Sequence, residues 1–122
     1  MYSIDFYETS TCYSDIFEFL EELRINSNIS KDSRIQYKQV ARYIQLLADN
    51  GTNLPTEVAK YLGDDIWELR PGVNRILFFY FDNGTYVLLH HFRKQTQKTP
   101  RREIDKAISE MNDYISRKEQ ES

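Results

Sequence analysis

Arg93, Lys94, Lys98 and Arg101 crowd one short stretch of the sequence, interleaved with Gln95, Thr96, Gln97 and Thr99. Guanidinium and ammonium groups set among hydroxyl and amide donors suit the holding of phosphate. The stretch follows TYVLLHHF (85–92), which reads as a buried strand, and precedes Pro100, which opens a helix. A strand that delivers cations to its own end, next to a helix N-terminus, makes an anion site.

Further chemistry depends on what the neighbouring strands bring. Asn83-Gly84 is the strongest short hairpin signal in the chain, and Pro71-Gly72 marks a turn before it. Strands are therefore expected over 66–70, 74–81 and 85–92. A two-residue loop at Asn83-Gly84 sets Asp82 opposite Thr85, Leu77 opposite His90 and Arg75 opposite Phe92. A two-residue turn at Pro71-Gly72 sets Arg70 opposite Val73 and Glu68 opposite Arg75. Since side chains alternate along a strand, Glu68, Arg70, Arg75 and His90 then share one face. Trp67, Leu69, Ile76, Phe78, Tyr80, Val87, Leu89 and His91 take the other, which is nearly all apolar and belongs under helices. A bulge in either turn would change this register.

Two guanidiniums, an imidazole and a carboxylate on one face, beside the cations at 93–98, could cut RNA. That reaction needs a base for the 2′-OH, cations for the developing phosphorane charge, and an acid for the leaving 5′-oxygen. Arg70 and Arg75 suit the second role, being permanently charged and bidentate toward phosphate. His90 suits proton transfer because its reference pKa lies near neutrality. Lys94 is a phosphate clamp unless neighbouring cations lower its pKa enough for acid–base work. Each residue has a plainer alternative. Glu68 and Arg75 could be a cross-strand ion pair, His90 a hydrogen-bonded structural histidine, and the basic stretch a solvated patch. The run Phe78-Phe79-Tyr80-Phe81 reads as core.

The remaining elements form the support. YSIDFY (2–7) alternates as a short strand. Ser14 caps a helix with Ile16, Phe19, Leu20 and Leu23 on one face, and Ser30 caps a longer one carrying Tyr37, Val40, Ala41, Ile44, Leu47 and Ala48. Asn50-Gly51 stops it. Residues 52–65, with Pro55, Gly63 and two adjacent Asp, read as loop with one turn around 57–61. Thr99-Pro100 starts a last helix in cap-then-proline order, with Ile104, Ala107, Ile108, Met111 and Ile115 as its stripe, and the charged tail 116–122 frays. The expected architecture is α+β: a small twisted, mostly antiparallel sheet with a helical hairpin of two N-terminal helices and a C-terminal helix packed on it, one domain over 1–122.

Composition agrees with an anion site confined to one region. Net charge is −3, yet residues 66–106 carry 8 basic and 4 acidic side chains where residues 1–65 carry 6 and 11. Cys12 is the only cysteine, which rules out an internal disulfide and a Cys-based zinc site. MYSIDFYE carries two acids and no long apolar run, so neither a secretory signal nor a membrane span is expected, and the expected compartment is the cytoplasm.

The string LLHHF (88–92) followed by RKQTQKTP (93–100), with Glu68-Leu69-Arg70 and Arg75 upstream, resembles the signature of RelE/ParE-superfamily toxins, specifically the HigB-like (phage Gp49-like) branch. The resemblance is firmest from Leu62 to Tyr114. It implies a RelE-like fold and a metal-independent, cofactor-free endoribonuclease that cuts messenger RNA on the translating ribosome. It also implies the partner of such a toxin, a helix-turn-helix antitoxin whose complex binds operator DNA. Carried over residue by residue, it implies catalytic roles for Arg70, Arg75, His90 and Lys94. RNA or phosphate contacts would come from Glu68, Arg93, Thr96, Lys98, Thr99 and Arg101. Two positions depart from the pattern: His91 stands where a small residue is usual, and Gln95 replaces the second lysine of a Lys-Lys pair. Within the superfamily the ParE branch poisons DNA gyrase without cutting RNA, so a gyrase poison, or an inactive phage-derived interaction module, is the alternative.

Overall fold

The computed structural model describes residues 1–121 and shows an α+β fold with both faces of one sheet covered. In chain order the elements are β1 (Ser3–Phe6), α1 (Asp15–Asn26), α2 (Lys31–Asn50), β2 (Ala59–Gly63), β3 (Ile66–Leu69), β4 (Asn74–Tyr80), β5 (Thr85–Arg93) and α3 (Arg101–Glu121). The sheet runs β1-β5-β4-β3-β2; β1 is parallel to β5 and every other pairing is antiparallel.

Both N-terminal helices begin as their sequences require. The Ser14 hydroxyl accepts from Phe17 N at 3.1 Å and the Ser30 hydroxyl from Ser33 N at 3.2 Å, satisfying amides that have no partner within the helix. Their stripes bury Ile16, Phe19, Val40 and Leu47 against Leu69, Ile76, Phe78 and Leu88 of the sheet. On the opposite face α3 sets Ala107, Met111 and Tyr114 on Leu77, Phe79, Val87 and Leu89. Two Tyr hydroxyls fasten this layer to the N-terminus: Tyr7 donates to Asp113 at 2.7 Å and Tyr114 to Asp5 at 2.6 Å. None of the described helices is long and apolar enough to cross a membrane.

Four local expectations are corrected. Residues 59–63 are not loop but the edge strand β2. It is joined to β3 by Asp64-Asp65, whose φ values of 55° and 68° match the turn that suits twisted hairpins. Val87 and Leu89 lie on the α3 face and not beside Ile76 and Phe78. The cause is a bulge: Leu77 pairs with His90 but Phe78 pairs with Leu88, leaving Leu89 over. Thr99 does not cap α3. The Pro100 carbonyl takes the first helical bonds, from Glu103 N and Ile104 N, and the Thr99 hydroxyl is used elsewhere. Finally, α3 stays helical through the charged stretch to Glu121, with Arg117 bonded to Asp113 and to the Glu8 carbonyl; Ser122 lies outside the described residues.

The bulge also rescues the expected pairing near the site. The β4–β5 loop holds three residues, since Phe81 N bonds Thr85 O, and this shifts the register by one. Leu89 shifts it back, so Leu77 opposes His90 and Arg75 opposes Phe92.

Candidate active site

The site lies at one end of the sheet, where α3 begins and the segment after β5 lies against Glu68 of β3 and Arg75 of β4. Glu68 opposes Leu77, not Arg75, because the turn is closed by Asn74 N donating to Pro71 O at 3.0 Å, so that Gly72-Val73 and not Pro71-Gly72 is its centre. The displacement is two residues, so Glu68, Arg70 and Arg75 keep the same face. Glu68 Oε1 is 3.4 Å from Arg70 Nε and 3.9 Å from Arg75 Nε. Glu68 is 3% exposed and Arg75 is 7% exposed. Charges this buried stay charged when paired and hydrogen-bonded.

Arg75 is held on its other side by backbone: its Nη1 donates to Gly72 O at 2.7 Å and Asn74 O at 2.8 Å. Burial pushes its guanidinium below the ordinary value, with Arg70 adding to the effect and Glu68 opposing it. Arginine starts so high that it remains a cation. Arg70 Nη1 reaches Thr56 O at 3.3 Å, while its Nε is buried without a hydrogen-bond partner.

The segment after β5 closes over this face. Thr99 donates its hydroxyl to Glu68 Oε2 at 2.5 Å, and Thr96 donates to Lys98 O at 2.7 Å. Both hydroxyls therefore brace the loop and the carboxylate. Between loop and sheet is a cleft of about 480 Å³, with Glu68 and Arg75 on one wall and Arg93, Lys94 and Lys98 on the other. Arg102 and Glu103, from the first turn of α3, complete it.

His90 does not join that constellation. It is 1% exposed, its Nδ1 is 2.6 Å from Glu110 Oε1 and its Nε2 is 2.9 Å from Glu103 Oε1. Burial and the nearby Lys106 charge favour the neutral ring, but the hydrogen bonds to Glu110 and Glu103 and the charge of Glu110 outweigh them and hold the pKa above the ordinary value. With a carboxylate oxygen at each ring nitrogen, both nitrogens are engaged inside the protein, and neither faces the cleft. His91 points to the α1 face. It stacks on Phe19 with ring centroids 3.9 Å apart and meets Asp15 Oδ1 at 2.5 Å, so it does not crowd the cleft.

Arg101 also turns away, toward Asp105 at 2.9 Å and Asp64 at 3.5 Å. Arg102 takes the place in the cleft assigned to it. The sequence reading missed Arg102 and Glu103, which follow the signature directly, and Lys60, which opposes Glu68 across β2 and β3. Treating 52–65 as loop hid Lys60; alternation over Ala59–Tyr61 was the available signal.

A small α+β protein with a cationic cleft built on a buried Glu–Arg pair is the class that fold and site define. Residues 18–112 match the family model described as phage-derived protein Gp49-like, and the chain belongs to that family. A comparison with curated proteins returns no match.

Proposed function

We propose that this protein is the toxin of a type II toxin–antitoxin pair, a HigB-like endoribonuclease that cuts messenger RNA on the ribosome in the cytoplasm. The observation that carries the reading is the Glu68–Arg75 pair, buried at the wall of a cleft lined by Arg93, Lys94 and Lys98. Membership of the Gp49-like family supports it.

With His90 fully engaged, Glu68 is the candidate base. Its Oε1 lies near two guanidiniums without receiving a hydrogen bond from Arg70 Nε. It takes the proton of the ribose 2′-OH, and the freed oxygen attacks the adjacent phosphorus. Arg75, on the wall of the cleft, stabilises the charge that collects on the equatorial oxygens. The P–O5′ bond breaks as Lys94 gives the leaving oxygen a proton, and a 2′,3′-cyclic phosphate remains. The cations of the 93–98 segment are exposed, which fits a substrate positioned by a large partner such as the ribosome. A helix-turn-helix antitoxin would silence the protein by covering or distorting this cleft.

One observation favours a second reading, a poison that binds without cutting: His90, the most obvious titrating group, is locked between carboxylates. Primer extension on a reporter message during induced expression separates the two. Cuts inside translated codons that vanish when initiation is blocked, and that fall about a hundredfold or more in Arg75→Ala, are expected. Growth arrest with intact message would replace the nuclease by the poison, and undiminished toxicity in Arg75→Ala would remove the site itself.

A further inference from the structure

Beside the cleft, across the bar formed by Glu68 and Thr99, is a second hollow that no role yet described uses. It has an empty volume of about 820 Å³ and shares Glu68, Gln97, Lys98 and Thr99 with the first. Leu62 of β2 and Ile104 of α3 give it apolar surface; Lys60, Arg70 and Lys98 line it with cations. Lys60 is exposed and stands directly opposite Glu68 in the β2–β3 register, so its ammonium lies on the same face of the sheet as the site. Arg70, whose buried Nε lies 3.4 Å from Glu68 Oε1 and makes no hydrogen bond, lines this hollow and not the first. Apolar surface beside cations suits a nucleoside with its phosphate.

Resting on the ribonuclease reading above, we propose that this groove is a second nucleotide subsite. It holds the residue next to the cleaved bond, with Lys60 and Lys98 on its phosphate and the base or ribose on Leu62 and Ile104. An RNA strand then crosses the Glu68–Thr99 bar, with one phosphate in each hollow. Lys60 binds substrate here and takes no part in proton transfer.

The test is an amide NMR titration of the protein with a 2′-O-methyl trinucleotide, which carries two internal phosphates and cannot be cut. Resonances of Lys60 and Leu62 should move together with those of residues 94–99. In Lys60→Ala, binding should weaken several-fold, and the slope of log affinity against log salt should fall by about 0.7, one phosphate contact on a single strand. Lys60→Arg should restore both. Movement confined to 94–99, or an unchanged salt slope in Lys60→Ala, overturns the second subsite and leaves the cleft reading intact. If neither region moves, the second subsite falls, and the ribonuclease reading is decided by the primer extension described above. Lys60 is exposed on an edge strand, and an unchanged free spectrum in Lys60→Ala verifies that the variant folds.

Discussion

Thr99 and Glu68 are joined by a 2.5 Å hydrogen bond that ties the cation-bearing loop to β3. The loop has few other anchors, so this bond sets the distance between the two walls of the cleft. Thr99→Val should remove it at nearly constant volume. A hydrogen bond to a charged, buried acceptor contributes roughly 1.5–3 kcal/mol, and the variant should lose stability of that order in urea unfolding. Cleavage should drop further than stability explains, whereas Thr99→Ser keeps both. A valine variant with full cleavage would mean that Glu68 needs no bracing.

The raised pKa of His90 makes a prediction in pH. Its folded pKa is above its unfolded value of about 6.5, so its contribution to stability is complete below about pH 6.5 and is lost as pH rises through the folded pKa. Thermal unfolding from pH 6 to pH 9 should show that loss in the wild type and not in His90→Gln. Removing one partner from a buried charged set costs about 3–5 kcal/mol, so His90→Ala should be severely destabilised. Whatever fraction of His90→Gln folds should still cut RNA. Loss of cleavage in a fully folded His90→Gln would restore the histidine to the catalytic set.

Gly72 has φ +61°, and its carbonyl accepts from Arg75 Nη1. A Cβ there would stand 2.4 Å from Gln39 Oε1, a flexible side-chain end that can move, but the left-handed backbone would remain strained. Gly72→Ala should cost about 1–2 kcal/mol in denaturant unfolding. It should also lower cleavage, because the carbonyl that aims the guanidinium shifts with the turn. Unaltered cleavage at that loss of stability would show that Asn74 O alone positions Arg75.

Much of this was legible beforehand because local signals and burial agreed. Ser14 and Ser30 announced their helices, the apolar stripes chose the buried faces, and alternation put Glu68, Arg70 and Arg75 together even though the register across the turn at Pro71 was misjudged by two residues. What stayed hidden was set by contacts between distant elements. The Glu103 and Glu110 carboxylates that capture His90 arrive on α3, and nothing within β5 signals them. The bulge at Leu89 leaves no mark in a run of equally apolar residues. Arg101 and Arg102 exchange roles because one step along a helix turns a side chain by about 100°.

The parallel pairing of Ser3–Phe6 with Thr85–Leu88 has a consequence for how the protein comes into being. β1 finds its strand partner only in β5, the last strand in chain order, which also brings Arg93, Lys94 and the loop to Thr99. Non-local closure of this kind is slow, and it cannot begin on a partial chain. A polypeptide released early would lack a wall of the cleft and a partner for its own beginning at once. A chain that stops before Thr85 therefore has neither the cationic wall nor a strand for Ser3–Phe6 to pair with.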